Sequence, residues 1–198
     1  QKLSKEAAIK YFILGSFASA IFLYGVAFIF GSVGSTYLPQ VIAKTGELIE
    51  TSRIFTFGMT PMILGFCFKV SIAPFHAWTP DVYQGAPTPH TAYMATAVKT
   101  VSFAAFLRLI STHSLAGSEN LLDFLQWLAV ITMIVGNVAA ILQNNFKRML
   151  AYSSVAHSGY LMIGLITTGV SDDMSFGASG LIFYLAGYSL MTLGSFAI

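Results

Sequence analysis

Long apolar runs separated by short polar connectors dominate this chain. They cover residues 7–31, 54–78, 90–111, 121–142, 146–168 and 176–198. At about 1.5 Å of rise per residue, each is long enough to cross roughly 30 Å of hydrocarbon as a helix. Such a pattern predicts an all-α polytopic membrane protein with about six transmembrane helices. Residues 37–51, between the first two runs, alternate at helical spacing and predict an amphipathic helix lying at the surface. The second run contains Pro61 and Pro74, and a proline inside a helix removes a backbone hydrogen bond and kinks or breaks it. A break near Pro74 is therefore expected. Pro80, Gly85, Pro87 and Pro89 mark residues 79–89 as a turn region.

Composition agrees with the pattern. Of 198 residues, 56% are hydrophobic and only 9% charged, against about 25% charged in an ordinary soluble domain. The formal net charge of +2 gives no support for a nucleic-acid partner. The one cysteine, Cys67, sits among Leu64, Phe66 and Phe68, where a buried packing role is expected. Residues 1–10 lead into a full-length span without a signal-peptide core, and the last run reaches Ile198, so the chain reads as a portion of a larger protein. Gly15, Ser16, Ala18, Ser19 and Ala20 in the first run are small enough to let another helix come close.

Lys2, Lys5, Lys10, Lys147 and Arg148 fall on one side of the predicted spans. Lys44, Arg53 and Arg108 fall on the other, diluted by Glu47, Glu50, Glu119, Asp123, Asp172 and Asp173. The excess of Lys and Arg predicts a cytoplasmic N-terminal side. Glu6 and Lys10 are spaced i,i+4 in the order that favours an ion pair.

The candidate chemistry lies inside the spans. Lys69 is about 16 residues into the second run and Lys99 about ten into the third, roughly 24 and 15 Å along ideal helices. Neither has a carboxylate nearby on its own run. A lone cation at such depth costs about 2.5–3.5 kcal/mol even on the milder insertion scales, and such residues mark ion or proton paths. A lysine in water has a pKa near 10.4 and keeps its proton; in general, desolvation disfavours the charged form and lets an amine exchange it. His76 follows Lys69 by two helical turns and shares its face if the helix continues past Pro74. Carbonyls freed at the break are expected to stabilise a charged lysine. Ser71, Thr96, Thr100 and Ser102 add hydroxyls. His157 is expected to make a helix-packing hydrogen bond, His90 to act as an interfacial cap, and His113 to sit in a solvated loop. There is no metal-ligand spacing, Gly-rich phosphate loop, dinucleotide fingerprint or nucleophile elbow.

The stretches FKVSIAPFHAWTPDVYQGAPTP, ATAVKTVSFAAFLRL and GNVAAILQNNFKRMLAYSSVAHSGYLMIGL, with EAAIKYFILGSFAS at the start, resemble the antiporter-like membrane subunits of respiratory complex I. The resemblance covers essentially the whole chain. It implies a fold of two inverted five-helix repeats, each with a broken helix. Residues 1–112 would be the last three helices of the first repeat and residues 113–198 the first three of the second, a partial inverted-repeat fold. It implies proton translocation driven by quinone reduction elsewhere in the complex, within an NADH:quinone oxidoreductase translocase. Lys69 matches the family's broken-helix lysine and Lys99 its central-axis lysine; His76 and Lys10 match further polar positions, and these four are the candidate proton-transfer residues. The family's membrane glutamate belongs to a helix ahead of the first run and is not Glu6; its second-repeat lysine lies past Ile198. No cofactor is expected on this chain, with quinone, FMN and iron–sulfur clusters elsewhere in the complex. Other membrane subunits and lipid are the expected partners, with no nucleic acid and no small-molecule substrate except protons. Two alternatives remain: a subunit of a multi-subunit cation/proton antiporter, and a structural membrane fragment whose lysines only satisfy packing.

Overall fold

A computed structural model describes residues 2–110, 119–170 and 174–197. Eight helices make up the described chain: α1 Lys2–Val33, α2 Leu38–Thr51, α3 Arg53–Lys69, α4 Thr79–Gly85, α5 Thr88–Ile110, α6 Glu119–Ile141, α7 Phe146–Val170 and α8 Met174–Ala197. Five of them, α1, α5, α6, α7 and α8, are long and apolar enough to cross a membrane. The sixth crossing expected from the sequence is the interrupted one: α3 stops at Lys69, and residues 70–78 carry the chain irregularly to α4. His113, Asp172 and Asp173 lie outside the described residues.

α2 has the predicted amphipathic character. Val41, Thr45 and Ile49, at i, i+4 and i+8, are its buried stripe. α1 packs along α3, and α6 along α7, which also packs against α8; α4 and α5 lie between these groups and touch both. Two close approaches explain the pairing. A β-carbon on Gly25 would lie 2.6 Å from the Met62 nitrogen, and one on Gly136 2.5 Å from the Ala156 nitrogen. Helices in hydrocarbon gain from such contact because lipid offers no hydrophobic drive toward each other. The small residues flagged in α1 are used differently: Ala18 is buried, while Ser16, Ser19 and Ala20 stay exposed. Phe55, Ile63, Phe103, Phe106, Leu125 and Met162, almost wholly buried, form the core shared by α3, α5, α6 and α7. Cys67 belongs to the same core. Large exposed apolar side chains such as Phe12, Phe17, Trp127 and Phe183 cover the outside.

The interruption spans Pro74, as the sequence predicts, but Pro61 has no part in it. Pro61 lies within α3 without ending it. The helix ends five residues before Pro74, with Ser71 in the left-handed region at φ 62° and a cis peptide bond between Ala73 and Pro74. Backbone groups here cannot turn to water and are met by side chains. Ser158 donates to the Val70 carbonyl at 2.5 Å, Trp78 Nε1 to the Phe68 carbonyl at 3.1 Å, and the Ala73 amide to the Thr132 hydroxyl at 3.0 Å. Two of these partners stand on α6 and α7, so those helices hold the break in α3. Residues 79–85, read as a turn, form a helix instead: Pro80 falls at its start, where a proline costs no hydrogen bond.

Candidate functional site

Lys99 is the centre of the site. It is 4% exposed, on α5, and no carboxylate among the described residues pairs with it. Its position depends on a feature the sequence does not announce. Met94–Val98, just ahead of it, is a single wide π turn. One extra residue in a turn rotates everything after it by about 100° relative to everything before. The lysine is thereby aimed between α7 and α8. Its Nζ donates to the Ser154 carbonyl at 2.5 Å and to the Ser154 hydroxyl at 2.7 Å. The amine also stands 5.0 Å from the centroid of the Tyr188 ring, a cation–π contact.

Ser154 collects further bonds. The Tyr188 hydroxyl donates to its Oγ at 2.8 Å, and the Tyr83 hydroxyl lies 3.4 Å from the same oxygen. Tyr83 comes from α4, Tyr188 from α8 and Ser154 from α7. One turn further along α7, Ser158 holds the Val70 carbonyl at the end of α3. Ser154 and Ser158, at i and i+4, share a face, so one stripe of α7 serves both Lys99 and the broken helix. His157 lies beside this stripe, with Nδ1 2.6 Å from the Tyr184 hydroxyl and its ring centroid 5.0 Å from that of Tyr188. Its expected role as a packing hydrogen-bonder is the observed one.

The other sequence candidates are placed apart. Lys69 is the last residue of α3 and is exposed, with no hydrogen-bond or ion-pair partner among the described residues. It lines a groove of about 330 Å³ with Ala18, Ser19, Phe22, Gly65 and Phe66. His76 does not share a helical face with Lys69, because α3 has already ended. Its ring is half-buried, its Nδ1 has no partner, and Tyr152 is the neighbouring ring at 6.3 Å between centroids. No described contact joins any two of Lys10, Lys69, His76 and Lys99. The hydroxyls expected near the lysines are also engaged elsewhere. Thr96 and Ser102 bond carbonyls of their own helix, Thr100 pairs with Ser189, and Ser71 accepts from Thr79. The carbonyls freed at the break serve Trp78 and Ser158 rather than a lysine. His90 caps nothing: Pro87 occupies the N-cap of α5, and the histidine is exposed.

Lys10 has a different setting. Its Nζ is 2.6 Å from Glu6 and 2.7 Å from Asp81, and Arg148 Nη1 meets the other Asp81 oxygen at 2.7 Å. Arg148 also reaches Gln84 at 3.2 Å. The Glu6–Lys10 pair was legible from spacing; the bridge from α1 through α4 to α7 was not. Lys10 holds the Asp81 carboxyl below the usual carboxylate range, and Arg148 adds to the effect. Ser4 donates to the Gly85 carbonyl at the same end of the bundle. Sequence reasoning missed Ser154, Ser158, Tyr83, Tyr188 and Asp81. The only available signal was polarity out of place: two serines in the middle of an apolar run, and an acid at the edge of another.

A family profile described as NADH:quinone oxidoreductase/Mrp antiporter, TM, matches residues 1–198. The NADH-quinone oxidoreductase subunit N of Bdellovibrio bacteriovorus is 77% identical over 198 residues, all of this chain and 41% of that protein. The subunit of the same name from Salinibacter ruber is 48% identical over 193 residues, 98% of this chain and 37% of that protein. The chain thus spans about two fifths of the length of these relatives. Among solved structures, a chain of respiratory complex I from Thermus thermophilus with bound aureothin superposes with a TM-score of 0.82 at 39% identity, covering 100% of this chain and 40% of that one. A chain of the Mrp complex from Dietzia sp. gives a TM-score of 0.85 at 22% identity, over 98% of this chain and 34% of that one, a likeness of fold.

Proposed function

The chain belongs to the NADH:quinone oxidoreductase/Mrp antiporter membrane family, and from that premise we propose that it is a proton-carrying portion of a membrane subunit of NADH–quinone oxidoreductase, the counterpart of subunit N. The observation that carries this is Lys99: a buried amine in a predicted span, with no carboxylate partner among the described residues, held by the Ser154 hydroxyl and carbonyl and by the face of the Tyr188 ring. An amine so held can take up and release a proton without breaking an ion pair. Lys69 is the second proton-carrying amine, open on the groove beside α1, and the two communicate through water. Lys10 and His76 serve the polar end and the break. Quinone reduction, flavin and iron–sulfur chemistry belong to other subunits, and this chain supplies none of them.

Residues 1–112 then close the first inverted repeat and residues 113–198 open the second. The membrane is the bacterial inner membrane, and the end carrying Lys5, Lys10, Lys147 and Arg148 faces the cytoplasm. The identity to named subunit N proteins favours this reading over a cation/proton antiporter subunit, for which the support is fold alone. The test is Lys99→Met in the intact complex reconstituted in liposomes. Loss of NADH-driven proton uptake is the expected result; wild-type uptake would overturn the proposal.

A further inference from the structure

Ser154 uses every hydrogen bond a hydroxyl can make, and which partner takes its single hydrogen depends on the charge of Lys99. Its Oγ faces Lys99 Nζ at 2.7 Å, the Tyr188 hydroxyl at 2.8 Å and the Tyr83 hydroxyl at 3.4 Å. A serine hydroxyl has one hydrogen and two acceptor positions. An ammonium has hydrogens only. While Lys99 is charged, Ser154 accepts from Lys99 and from Tyr188, and its single hydrogen is left for Tyr83. When Lys99 is a neutral amine, its nitrogen carries a lone pair. The serine hydrogen then turns toward that nitrogen, and Tyr83 in turn donates into the acceptor position set free. The Ser154 carbonyl accepts from the amine in both states.

We propose that Ser154 is the positioning residue of Lys99 and a hydroxyl rotor that reports the lysine's charge to Tyr83 on α4. No covalent bond is made or broken at either hydroxyl; only their hydrogens change direction. The inference rests on Lys99 carrying a proton, and it adds which group senses that proton and where the signal goes. The receiving helix is suited to it. α4 follows the break, and Asp81 on the same short helix bridges Lys10 of α1 and Arg148 of α7. A change of hydrogen-bond direction at Tyr83 therefore acts on the piece that ties the polar end of the bundle together. The titratable groups facing the rotor are Tyr83 from α4, Tyr188 from α8 and, beside them on α7, His157.

The rotor predicts opposite signs for two neighbouring substitutions. Ser154→Ala takes an acceptor from the ammonium, so the alkaline limb of the pumping profile moves to lower pH. Tyr188→Phe keeps the ring under the amine but removes a donor that draws electron density from Ser154 Oγ; the oxygen becomes a better acceptor for the ammonium, so the limb moves to higher pH. Shifts of about half a pH unit are expected from one net hydrogen bond. Ser154→Thr, which keeps the hydroxyl, restores the wild-type profile. The measurement is proton uptake by the reconstituted intact complex between mildly acidic and alkaline pH. Opposite shifts with rescue support the rotor. Superimposable profiles, or shifts of the same sign, overturn it, even if rates fall. If Ser154→Ala does not assemble, Tyr188→Phe decides alone: a shift to higher pH supports the rotor and an unmoved profile sinks it. Lys99→Met separates the two claims. If that variant pumps normally, proton carriage by Lys99 and the rotor fall together; if it is dead while Ser154→Ala keeps the wild-type profile, only the rotor falls.

Discussion

Ser158 on α7 donates a 2.5 Å hydrogen bond to the carbonyl of Val70, the first residue past the end of α3. This one contact makes a helix from the C-terminal half responsible for the state of a helix in the N-terminal half. Val70 is fully buried and its carbonyl is beyond the reach of solvent. Ser158→Ala leaves that carbonyl without its side-chain donor, at an expected cost of about 1–3 kcal/mol. The expected outcome is a lowered thermal midpoint of the purified full-length complex. An unchanged midpoint would mean that the break is held by Trp78 and Thr132 without help.

Asp81 supplies the pH dependence. Its carboxyl is held low by Lys10 and Arg148 in the folded protein, and rises to near 3.9 when the chain unfolds. The unfolded state therefore binds the proton more readily. The stabilisation from this group is fully present above pH ~4 and is lost as pH falls through the lower folded value. A series of thermal midpoints against pH should show wild type and Asp81→Asn converging as the acid end is approached and diverging above it. Parallel curves throughout would mean that the bridge from α1 to α7 contributes nothing.

Close packing makes a third expectation. A β-carbon on Gly136 would meet the backbone of Ala156 at 2.5–2.7 Å. Backbone cannot move aside as a flexible side chain can, so α6 and α7 must separate. Gly136→Ala should destabilise by about 1–3 kcal/mol, whereas Gly187→Ala, where nothing lies within 4 Å, should be neutral in stability. Thermal midpoints of the two variants check this; equal values would exclude a tight α6–α7 crossing.

The spans were legible because each is written in one continuous stretch of sequence. Run length alone located α1, α5, α6, α7 and α8, the amphipathic character of residues 37–51 announced α2, and i,i+4 spacing found the Glu6–Lys10 pair. The break near Pro74 was expected; its starting point was not, since a proline marks where a helix cannot continue and not where the chain leaves it. α3 ends at Lys69, where side chains of other helices supply substitute partners. The surroundings of Lys99 were illegible for the same reason. Ser154 is 55 residues from it, and Asp81 is 71 and 67 residues from Lys10 and Arg148. Local rules carry no information about such pairings. The π turn that aims Lys99 is spelled MATAV, which has no signature of its own.

Lys99→Met should separate stability from function. A buried charged amine without a carboxylate is costly to hold, and replacing buried charge by a well-packed apolar side chain is often neutral or stabilising. The groups left behind are not stranded: Ser154 Oγ keeps Tyr188 as donor, and the Ser154 carbonyl still accepts from Ser158 at 3.2 Å. The methionine stem fills the space of the lysine stem. The expected outcome is an assembled complex with a thermal midpoint equal to or above wild type and no NADH-driven proton uptake. A fall of several degrees together with lost pumping would assign Lys99 a structural duty instead, and calorimetry on the same preparations used for proton uptake distinguishes the two.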